Sequence, residues 1–329
     1  MDKNDISNGV NIIEVKNLTK KFDKLTAVDN ISFSVTQGEI FGFLGPNGAG
    51  KSTTISILST LLKSDSGQAL INGFDVNKQR NQVRKSIGLV FQDSSLDDKL
   101  TAKENLYFHA DLYGVDKEIF SERLPEVLKL VDLWDRQDHI VKTFSGGMKR
   151  RLEIARGLIH YPQVMFLDEP TIGLDPQTRF NIWEYVLRLK KEKDMTIFMT
   201  THYLAEAEYC DRIAIIDQGK IVALDTPVNL KKMVGGDIIT IMAANTEKLK
   251  QEIETKFGAA VKVEDNKLKI KVADGDKFLA KLFNELEEKI QSVELRKPTL
   301  DDVFLNLTGK KIREEEASGK DEMRRRMRH

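Results

Sequence analysis

One octapeptide, at residues 45–52, constrains the fold of this chain more than any other feature. It reads Gly-Pro-Asn-Gly-Ala-Gly-Lys-Ser and fits the phosphate-loop pattern Gly-x-x-x-x-Gly-Lys-Ser/Thr. Glycines let such a loop close tightly around a polyphosphate, with successive N–H groups pointing inward. The apolar run 40–44 before it is typical of a buried strand, and the apolar spacing of 53–62 after it predicts a helix. Strand, loop and helix in this order favour a phosphate-binding site in an α/β domain over a chance glycine-rich turn.

The side chains of this loop suit a nucleotide bound with a magnesium ion. Lys51 supplies a point charge for the β- and γ-phosphates, and Ser52 supplies a hydroxyl for the metal. The N-terminus of the following helix adds its dipole to the same site. The residues expected to bind the nucleotide here are Gly45, Pro46, Asn47, Gly48, Ala49, Gly50, Lys51, Ser52 and Thr53.

Two carboxylates end a later apolar strand, predicted at 164–167. The first, Asp168, stands where a phosphate-loop enzyme places its magnesium-binding aspartate. The second, Glu169, lies just past the strand end, where a carboxylate can orient an attacking water or accept its proton. The alternative is an acidic helix cap ahead of Pro170. With the phosphate loop upstream, we interpret the pair as catalytic.

A second candidate anion site precedes these carboxylates, at Ser145, Gly146 and Gly147. A hydroxyl, two glycine N–H groups and the start of a helix together can bind a phosphate. One chain has no need of two such cradles for a single nucleotide. The second is explained if it faces a nucleotide bound to another copy of the chain.

Composition narrows the class of protein. The 329 residues suffice for one large domain and one small domain, and 51 basic residues balance 51 acidic ones. Nucleic-acid-binding proteins usually have a basic face, so the balance argues against that class. The single cysteine, Cys210, excludes an intrachain disulfide. No apolar run reaches the roughly 18 residues that cross a bilayer, and residues 1–9 lack the apolar core of a signal peptide. We therefore expect a soluble chain.

Strand and helix patterns alternate over residues 12–232, which predicts a mostly parallel sheet, with a helical insertion at about 93–144. The composition changes near 231–236, and a small α+β domain is expected at 237–309, followed by a charged tail at 310–329. The β-α-β-β-α-β order of this small domain matches the ferredoxin-like arrangement. The predicted elements are a strand at 238–242, a helix at 247–257, strands at 261–263 and 268–272, a helix at 277–289 and a strand at 291–295.

These motifs, in this order, resemble the ATP-binding subunit of an ABC transporter over about residues 12–230. The resemblance implies a P-loop NTPase fold with an ABC-type helical subdomain, and ATP and Mg²⁺ as ligands. Phe22 would stack on adenine, although it could equally be a core aromatic. The further roles implied are magnesium and water contact for Gln92, nucleotide binding across a dimer for Ser145, Gly146 and Gly147, magnesium binding for Asp168, water activation for Glu169, the dimer-crossing loop for Asp175 and the γ-phosphate switch for His202.

One motif departs from the commonest family pattern, Leu-Ser-Gly-Gly-Gln. Here Phe144 and Met148 occupy its first and fifth positions, while the phosphate-binding Ser-Gly-Gly is kept. This variant resembles the daunorubicin-resistance branch of drug exporters. Residues 298–309 resemble the closing segment of that branch, although Thr299 and Gly309 could simply cap an amphipathic helix.

The resemblance implies an ATPase that powers export through a separate integral-membrane permease, and the branch implies drugs, antibiotics or other hydrophobic compounds as the exported class. It also implies a homodimer with two ATP molecules between the copies, cytoplasmic and peripheral at the inner face of the membrane. Gln92 and residues 93–99 would contact the permease. Two alternatives remain open: a soluble ABC-type ATPase acting on nucleic acid or the ribosome, and a non-catalytic module whose C-terminal domain binds a regulatory partner.

Overall fold

The computed structural model describes residues 9–264, 267–286 and 290–309. The chain divides between Leu224 and Asp225 into two compact units. The division precedes residue 232, the predicted end of the first domain, because the short helix that follows Thr226 packs with the helix Leu300–Thr308. The strands of the first unit are β1 (Asn11–Phe22), β2 (Leu25–Thr36), β3 (Ile40–Leu44), β4 (Ser66–Ile71), β5 (Phe74–Asp75), β6 (Ile87–Val90), β7 (Val164–Asp168), β8 (Thr196–Thr201), β9 (Arg212–Asp217) and β10 (Lys220–Asp225).

Two sheets make up this unit. The larger one has the order β10-β9-β3-β8-β7-β6, and its central pairs are parallel, as predicted. Strands β3, β7 and β8 are buried along their whole length, which explains why they are continuous apolar runs. The smaller sheet, β2-β1-β4-β5, is antiparallel. Phe33 of β2 stacks on Phe41 of β3 at a centroid distance of 5.4 Å, so the core includes residues of both sheets.

Helices surround the larger sheet and form the predicted insertion. A capping box starts the insertion, because Thr101 and Glu104 each accept a hydrogen bond from the other's backbone N–H. The last helical turn before the candidate anion site ends at Thr143. The helices of the first unit are α1 (Lys51–Leu58), α2 (Arg80–Ser86), α3 (Ala102–Leu112), α4 (Lys117–Leu130), α5 (Gly146–Leu158), α6 (Pro176–Lys193) and α7 (Leu204–Ala207).

The second unit has the predicted ferredoxin-like order. Its four-stranded sheet, β12-β13-β11-β14, is antiparallel throughout, and two helices cover an apolar core. The predicted helix at 277–289 is shorter and begins earlier, because Asp274 caps it, and residues 287–289 lie outside the described part. Its elements are α8 (Pro227–Met233), β11 (Asp237–Ala243), α9 (Thr246–Phe257), β12 (Val261–Glu264), β13 (Lys267–Val272), α10 (Gly275–Glu285), β14 (Ile290–Arg296) and α11 (Leu300–Thr308).

The final helix confirms the predicted caps. Thr299 forms a capping box with Asp302, and Gly309 ends the helix with φ of 69°. The charged tail at 310–329 and the N-terminal residues 1–8, on which the sequence analysis also made predictions, lie outside the described residues.

Three elements of the described chain were not predicted from the sequence: β10, α2 and α8. Helix α2 buries only one apolar side chain, Val83, so it has no apolar period to detect. Helix α8 carried a readable signal, since Thr226 caps it and Pro227 occupies its first position. Strand β10 is half exposed and follows a turn at Gln218 and Gly219.

Candidate nucleotide-binding and catalytic site

The larger sheet brings the main motifs together at one edge. Strands β3, β8 and β7 are neighbours and parallel, so their carboxyl ends meet. The phosphate loop follows β3, Asp168 ends β7 with Glu169 directly after it, and His202 follows β8. Segments more than a hundred residues apart in sequence therefore line one site.

The phosphate loop leads directly into α1, as predicted. Gly50 caps the helix with φ of 107°, a conformation that favours glycine. A Cβ at Gly45 or Gly50 would also lie 2.3 Å from the carbonyl oxygen of Ile216 or Ala27, respectively. These two glycines are therefore required by packing against neighbouring strands as well as by the loop's shape. At Gly48, with φ of 82°, nothing lies within 4 Å of the corresponding position.

Lys51 is buried in the loop. Its Nζ donates hydrogen bonds to the carbonyl oxygens of Gly45, at 2.7 Å, and Pro46, at 3.1 Å. Burial lowers the pKa of Lys51, while the carboxylate of Glu169, 3.1 Å from Nζ, opposes this. The ammonium group is thus held within the phosphate loop beside Glu169, and its binding of the β- and γ-phosphates stays a prediction.

Ser52 and Asp168 meet as the magnesium assignment requires. The Ser52 hydroxyl donates to Oδ1 of Asp168 at 3.3 Å, and the Thr200 hydroxyl donates to the same oxygen at 2.5 Å. Burial raises the pKa of Asp168, and these hydrogen bonds oppose the rise. A hydroxyl and a carboxylate are the oxygen ligands that Mg²⁺ prefers, so the pair fits this ion.

Gln92 is not joined to that pair. It lies exposed in the irregular segment after β6, and the described part of the chain contains no hydrogen bond from Gln92 to Ser52 or Asp168. The described residues also contain no group of three or more His, Cys, Asp or Glu side chains suited to a metal. The predicted magnesium site therefore depends on a hydroxyl and an amide beside one carboxylate, and the role of Gln92 stays a prediction.

Glu169 lies between a cation and an imidazole. Its Oε1 is 3.1 Å from Nζ of Lys51 and 3.2 Å from Nδ1 of His202. Burial alone would raise the pKa of Glu169, but His202 and Lys51 hold it below its usual value. The carboxylate is therefore ionised at neutral pH, as a group that orients or deprotonates water requires.

The backbone at Glu169 is unusual. Its φ is 46°, in the left-handed region that non-glycine residues rarely occupy. Its N–H donates to both the carbonyl oxygen and the hydroxyl of Thr200, at 3.2 and 3.1 Å. Strained residues of this kind persist where the surroundings determine them, and they cluster at functional sites.

The second anion site is at the exposed start of α5. The Ser145 hydroxyl accepts a hydrogen bond from the N–H of Met148, so Ser145 caps the helix. Ser145 and Gly146 are exposed, and no hydrogen bond in the described ranges joins them to the phosphate loop. A Cβ at Gly147 would lie 2.4 Å from Cγ2 of Thr178, so that glycine is needed where α5 meets α6.

Asp175 and Phe22 are both at the surface. Asp175 caps α6, and hydrogen bonds from the hydroxyl and the N–H of Thr178 hold the pKa of Asp175 below its usual value. Phe22 ends β1 and is 45 % exposed, with Nζ of Lys20 5.4 Å from its ring centroid. The core-aromatic alternative for Phe22 is therefore wrong, and its stacking on adenine stays a prediction.

Sequence reasoning missed two residues that shape this site, Thr200 and Arg150. Thr200 is the parallel partner of Asp168 in the register of β7 and β8, so a hydroxyl at the end of an adjacent strand was a usable signal. Arg150 is buried on α5, and its guanidinium donates to the carbonyl oxygens of Asp168, Glu169 and Pro170. No sequence signal distinguished it from the neighbouring basic residues.

A groove of about 490 Å³ adjoins the segment that the sequence analysis assigns to a membrane partner. Ser95 and Asp97 of that segment line it, and so do Phe91 just before the segment and Phe108 and Leu112 of α3. Phe108 is 62 % exposed and Leu112 is 66 % exposed. This concave, largely apolar surface is suited to a partner segment.

The geometry agrees with comparisons to known proteins. The family model for the ABC transporter matches residues 28–172, and the model for the C-terminal domain of DrrA1-3-like ATP-binding proteins matches 226–308. The linearmycin resistance ATP-binding protein LnrL of Bacillus subtilis is 40 % identical over 92 % of this chain and 100 % of its own length. The daunorubicin resistance ATP-binding protein DrrA2 of Streptomyces coeruleorubidus is 37 % identical over 93 % of this chain and 97 % of its own length.

Solved structures show the same fold. The structure of an ATP-binding subunit of an ABC transporter matches with a TM-score of 0.61 and 31 % identity, over 68 % of this chain and 92 % of its own. A dimeric, post-hydrolysis structure of the cassette MJ0796 bound to ADP and Pi matches with a TM-score of 0.59 and 29 % identity. The match covers 65 % of this chain and 98 % of the MJ0796 chain.

The chain belongs to the ATP-binding subunits of ABC transporters. It is an ATPase whose hydrolysis is coupled to transport, and its fold class is the predicted one. These relatives give no support to the alternative of an ATPase acting on nucleic acid or the ribosome. No helix within the described ranges is sufficiently long and apolar to cross a membrane.

Proposed function

We propose that this chain hydrolyses ATP at the cluster of Lys51, Asp168, Glu169 and His202, and that hydrolysis drives export of hydrophobic drug-like compounds through a separate permease. The observation that carries the catalytic part is the position of Glu169, whose Oε1 lies 3.1 Å from Lys51 and 3.2 Å from His202. The export part is supported by relatives over almost the whole chain, whose names state resistance to linearmycin and to daunorubicin.

Each residue of the cluster has a separate task in this proposal. Lys51 binds the β- and γ-phosphates, and Glu169 orients the attacking water and accepts its proton. His202 donates a hydrogen bond to the γ-phosphate. Ser52, Asp168 and Gln92 would hold Mg²⁺, which supplies charge neutralisation at the phosphates when bound. Phe22 offers a face for adenine.

A second copy of the chain completes the site in this proposal. Ser145 and Gly146 are exposed at the N-terminus of α5, where N–H groups and the helix dipole favour a phosphate. We assign these residues, with Gly147 and Asp175, to the nucleotide held by the other copy. The dimeric MJ0796 cassette supports such an arrangement, since it is a relative that forms a dimer. Two ATP molecules would then lie between the copies of a homodimer.

The permease would dock in the groove beside Gln92. Its apolar lining at Phe108 and Leu112 suits a short amphipathic segment, and residues 93–99 border it. Because ATP is supplied in the cytoplasm, this proposal places the chain at the inner face of the membrane.

The decisive variant is Glu169→Gln, which keeps the shape of the side chain and removes its charge. We expect ATP binding to persist, phosphate release to fall by at least about a hundredfold, and ATP to trap a dimer in size-exclusion chromatography. Turnover at the wild-type rate would remove Glu169 from the catalytic role.

The same variant can identify the permease. The tagged Glu169→Gln protein would be recovered from its native membranes with ATP present, and its partners read by mass spectrometry. We expect to recover one polytopic membrane protein. It should be absent when the tagged Lys51→Ala protein is used in place of the Glu169→Gln protein. Recovery of ribosomes or DNA-binding proteins instead would contradict the export proposal.

A further inference from the structure

Arg150 uses all five of its N–H groups inside the protein. Nε donates to the carbonyl oxygen of Pro170 at 2.6 Å, and Nη2 donates to those of Asp168 and Glu169 at 3.2 and 3.3 Å. Nη1 donates to the carbonyl oxygen of Phe91 and to Oε2 of Glu153, the latter at 2.9 Å. One side chain of α5 therefore joins the ends of β6 and β7.

The same face of α5 holds the segment around Gln92 at its other end. Oε1 of Glu153 accepts a hydrogen bond from the N–H of Ser95 at 3.0 Å. Arg156 donates to the carbonyl and hydroxyl oxygens of Ser95 at 2.7 and 2.5 Å. Gln92 thus lies in a short segment that α5 fixes on both sides.

The contacts of Arg150 fall on the strained part of the backbone. Glu169 has φ of 46°, and the carbonyl groups of residues 168–170 all accept from Arg150. A planar guanidinium with every donor used is a rigid connector, whereas an ammonium group cannot span acceptors in this fork geometry. Movement of the segment 91–95 must therefore be felt at Glu169 through one buried side chain.

We propose that Arg150 is a positioning residue, which sets the backbone of Glu169 and links it to the segment 91–95. Arg150 acts through Glu169 and contacts neither ATP nor the attacking water. The inference depends on the proposed role of Glu169 in hydrolysis. It predicts that loss of the guanidinium fork slows turnover without weakening ATP binding.

The test compares Arg150→Lys with Arg151→Lys. Among the described residues, Arg151, the next residue of α5, donates hydrogen bonds only to Val131, Asp132 and Tyr185, and none to residues 91–95 or 168–170. For Arg150→Lys we expect kcat to fall by about tenfold or more, since small misplacements of reacting groups are costly, with the Kd of ATP within twofold of wild type. For Arg151→Lys we expect kcat to stay within twofold.

Hydrogen exchange without nucleotide gives a readout independent of activity. In Arg150→Lys, peptides covering 89–97 and 166–173 should exchange faster, while the peptide covering 44–56 should not change. Glu153→Gln provides a second variant, because a glutamine oxygen can accept from only one side of the Arg150–Ser95 bridge. The kcat of Glu153→Gln should lie between those of wild type and Arg150→Lys. If Arg150→Lys fails to fold, the kcat of Glu153→Gln tests the role of Arg150 instead.

Three results would overturn the inference. Arg150→Lys could keep wild-type turnover while the wild-type protein is active, which would leave the proposed function intact. All peptides of Arg150→Lys could exchange faster, and Arg151→Lys could lose as much kcat as Arg150→Lys does. Together these results would indicate general destabilisation. A wild-type chain with no ATPase activity would overturn the proposed function, and this inference with it.

Discussion

Burial and charge act against each other at the ionisable residues of the site. Burial lowers the pKa of Lys51 and would raise that of Glu169, yet each stabilises the charged form of the other across 3.1 Å. The hydroxyl of Thr200 donates a hydrogen bond to Asp168, which stabilises the charged carboxylate and opposes the rise in the pKa of Asp168 that burial causes. The charges of the site are thus maintained by immediate neighbours rather than by solvent.

Replacing Lys51 should weaken nucleotide binding itself. We expect Lys51→Ala to raise the Kd of ATP by roughly 10- to 100-fold, because a charge-assisted hydrogen bond is worth about 1.5–3 kcal/mol. Isothermal titration calorimetry measures this directly. The control is Lys63→Ala, an exposed residue outside the loop. Unchanged affinity in Lys51→Ala would contradict the assignment of the phosphate loop.

Two histidines beside the groove should make stability depend on pH. Burial lowers the pKa of His109 to about 3 and of His160 to about 4. The unfolded chain binds protons below about pH 6.5, whereas these folded groups do not until lower pH. Their contribution is therefore fully present above pH 6.5, and it is lost as the pH falls toward 4 and then 3.

His160→Gln tests this dependence. Gln can still donate to the carbonyl oxygen of Ile87, which accepts from Nε2 of His160 at 2.9 Å, although stacking on Tyr113 is lost. We expect a lower Tm at pH 7.5 and a shallower fall of Tm between pH 6.5 and 4 than in wild type. Parallel curves for the two proteins would show that His160 does not contribute to the dependence.

At the scale of elements, helices α5 and α3 each have one part that is exposed and another that packs inside the protein. Helix α5 presents its N-terminus to the surface while Arg150, Glu153 and Arg156 hold the segment 91–95. Helix α3 buries Leu106 and exposes Phe108 at the groove. Helix α5 therefore connects the end of β7, where Asp168 and Glu169 lie, with the segment beside the groove.

Removing one exposed apolar side chain of α3 should separate permease binding from ATP hydrolysis. We expect Phe108→Ser to leave the ATPase activity of the isolated chain unchanged and to lower permease recovery by about tenfold, as for an interface anchor. Ile119→Ser is the matched control, since Ile119 is exposed on α4 and does not line the groove. Equal recovery for both variants would argue against docking in the groove.

For the whole molecule, the two compact units have separate apolar cores. A ligand that binds one folded unit stabilises that unit by mass action. Calorimetry of Glu169→Gln should therefore show two unfolding transitions. ATP with Mg²⁺ at about a hundred times Kd stabilises by about 2.7 kcal/mol, so it should raise only the transition of the first unit, by roughly 5–11 °C. A single transition that moves as a whole would contradict this expectation.

The residues of the site were predictable to different degrees. Lys51, Asp168, Glu169 and His202 follow from motifs at strand ends, because parallel strands must bring those ends together. The ferredoxin-like order of the second unit also follows from apolar spacing and helix caps. Helix α2 could not be found in this way, since Val83 is its one apolar residue.

The sequence by itself determined the fold class, the phosphate loop and most of the order of strands and helices, because these depend on local spacing, caps and short motifs. Only the tertiary structure decided the contacts of Arg150, the hydroxyl of Thr200 on Asp168 and the exposure of Phe22. The physical reason is distance along the chain. A buried hydrogen bond between α5 and the end of β7 depends on how separate elements pack, and no local pattern specifies that packing.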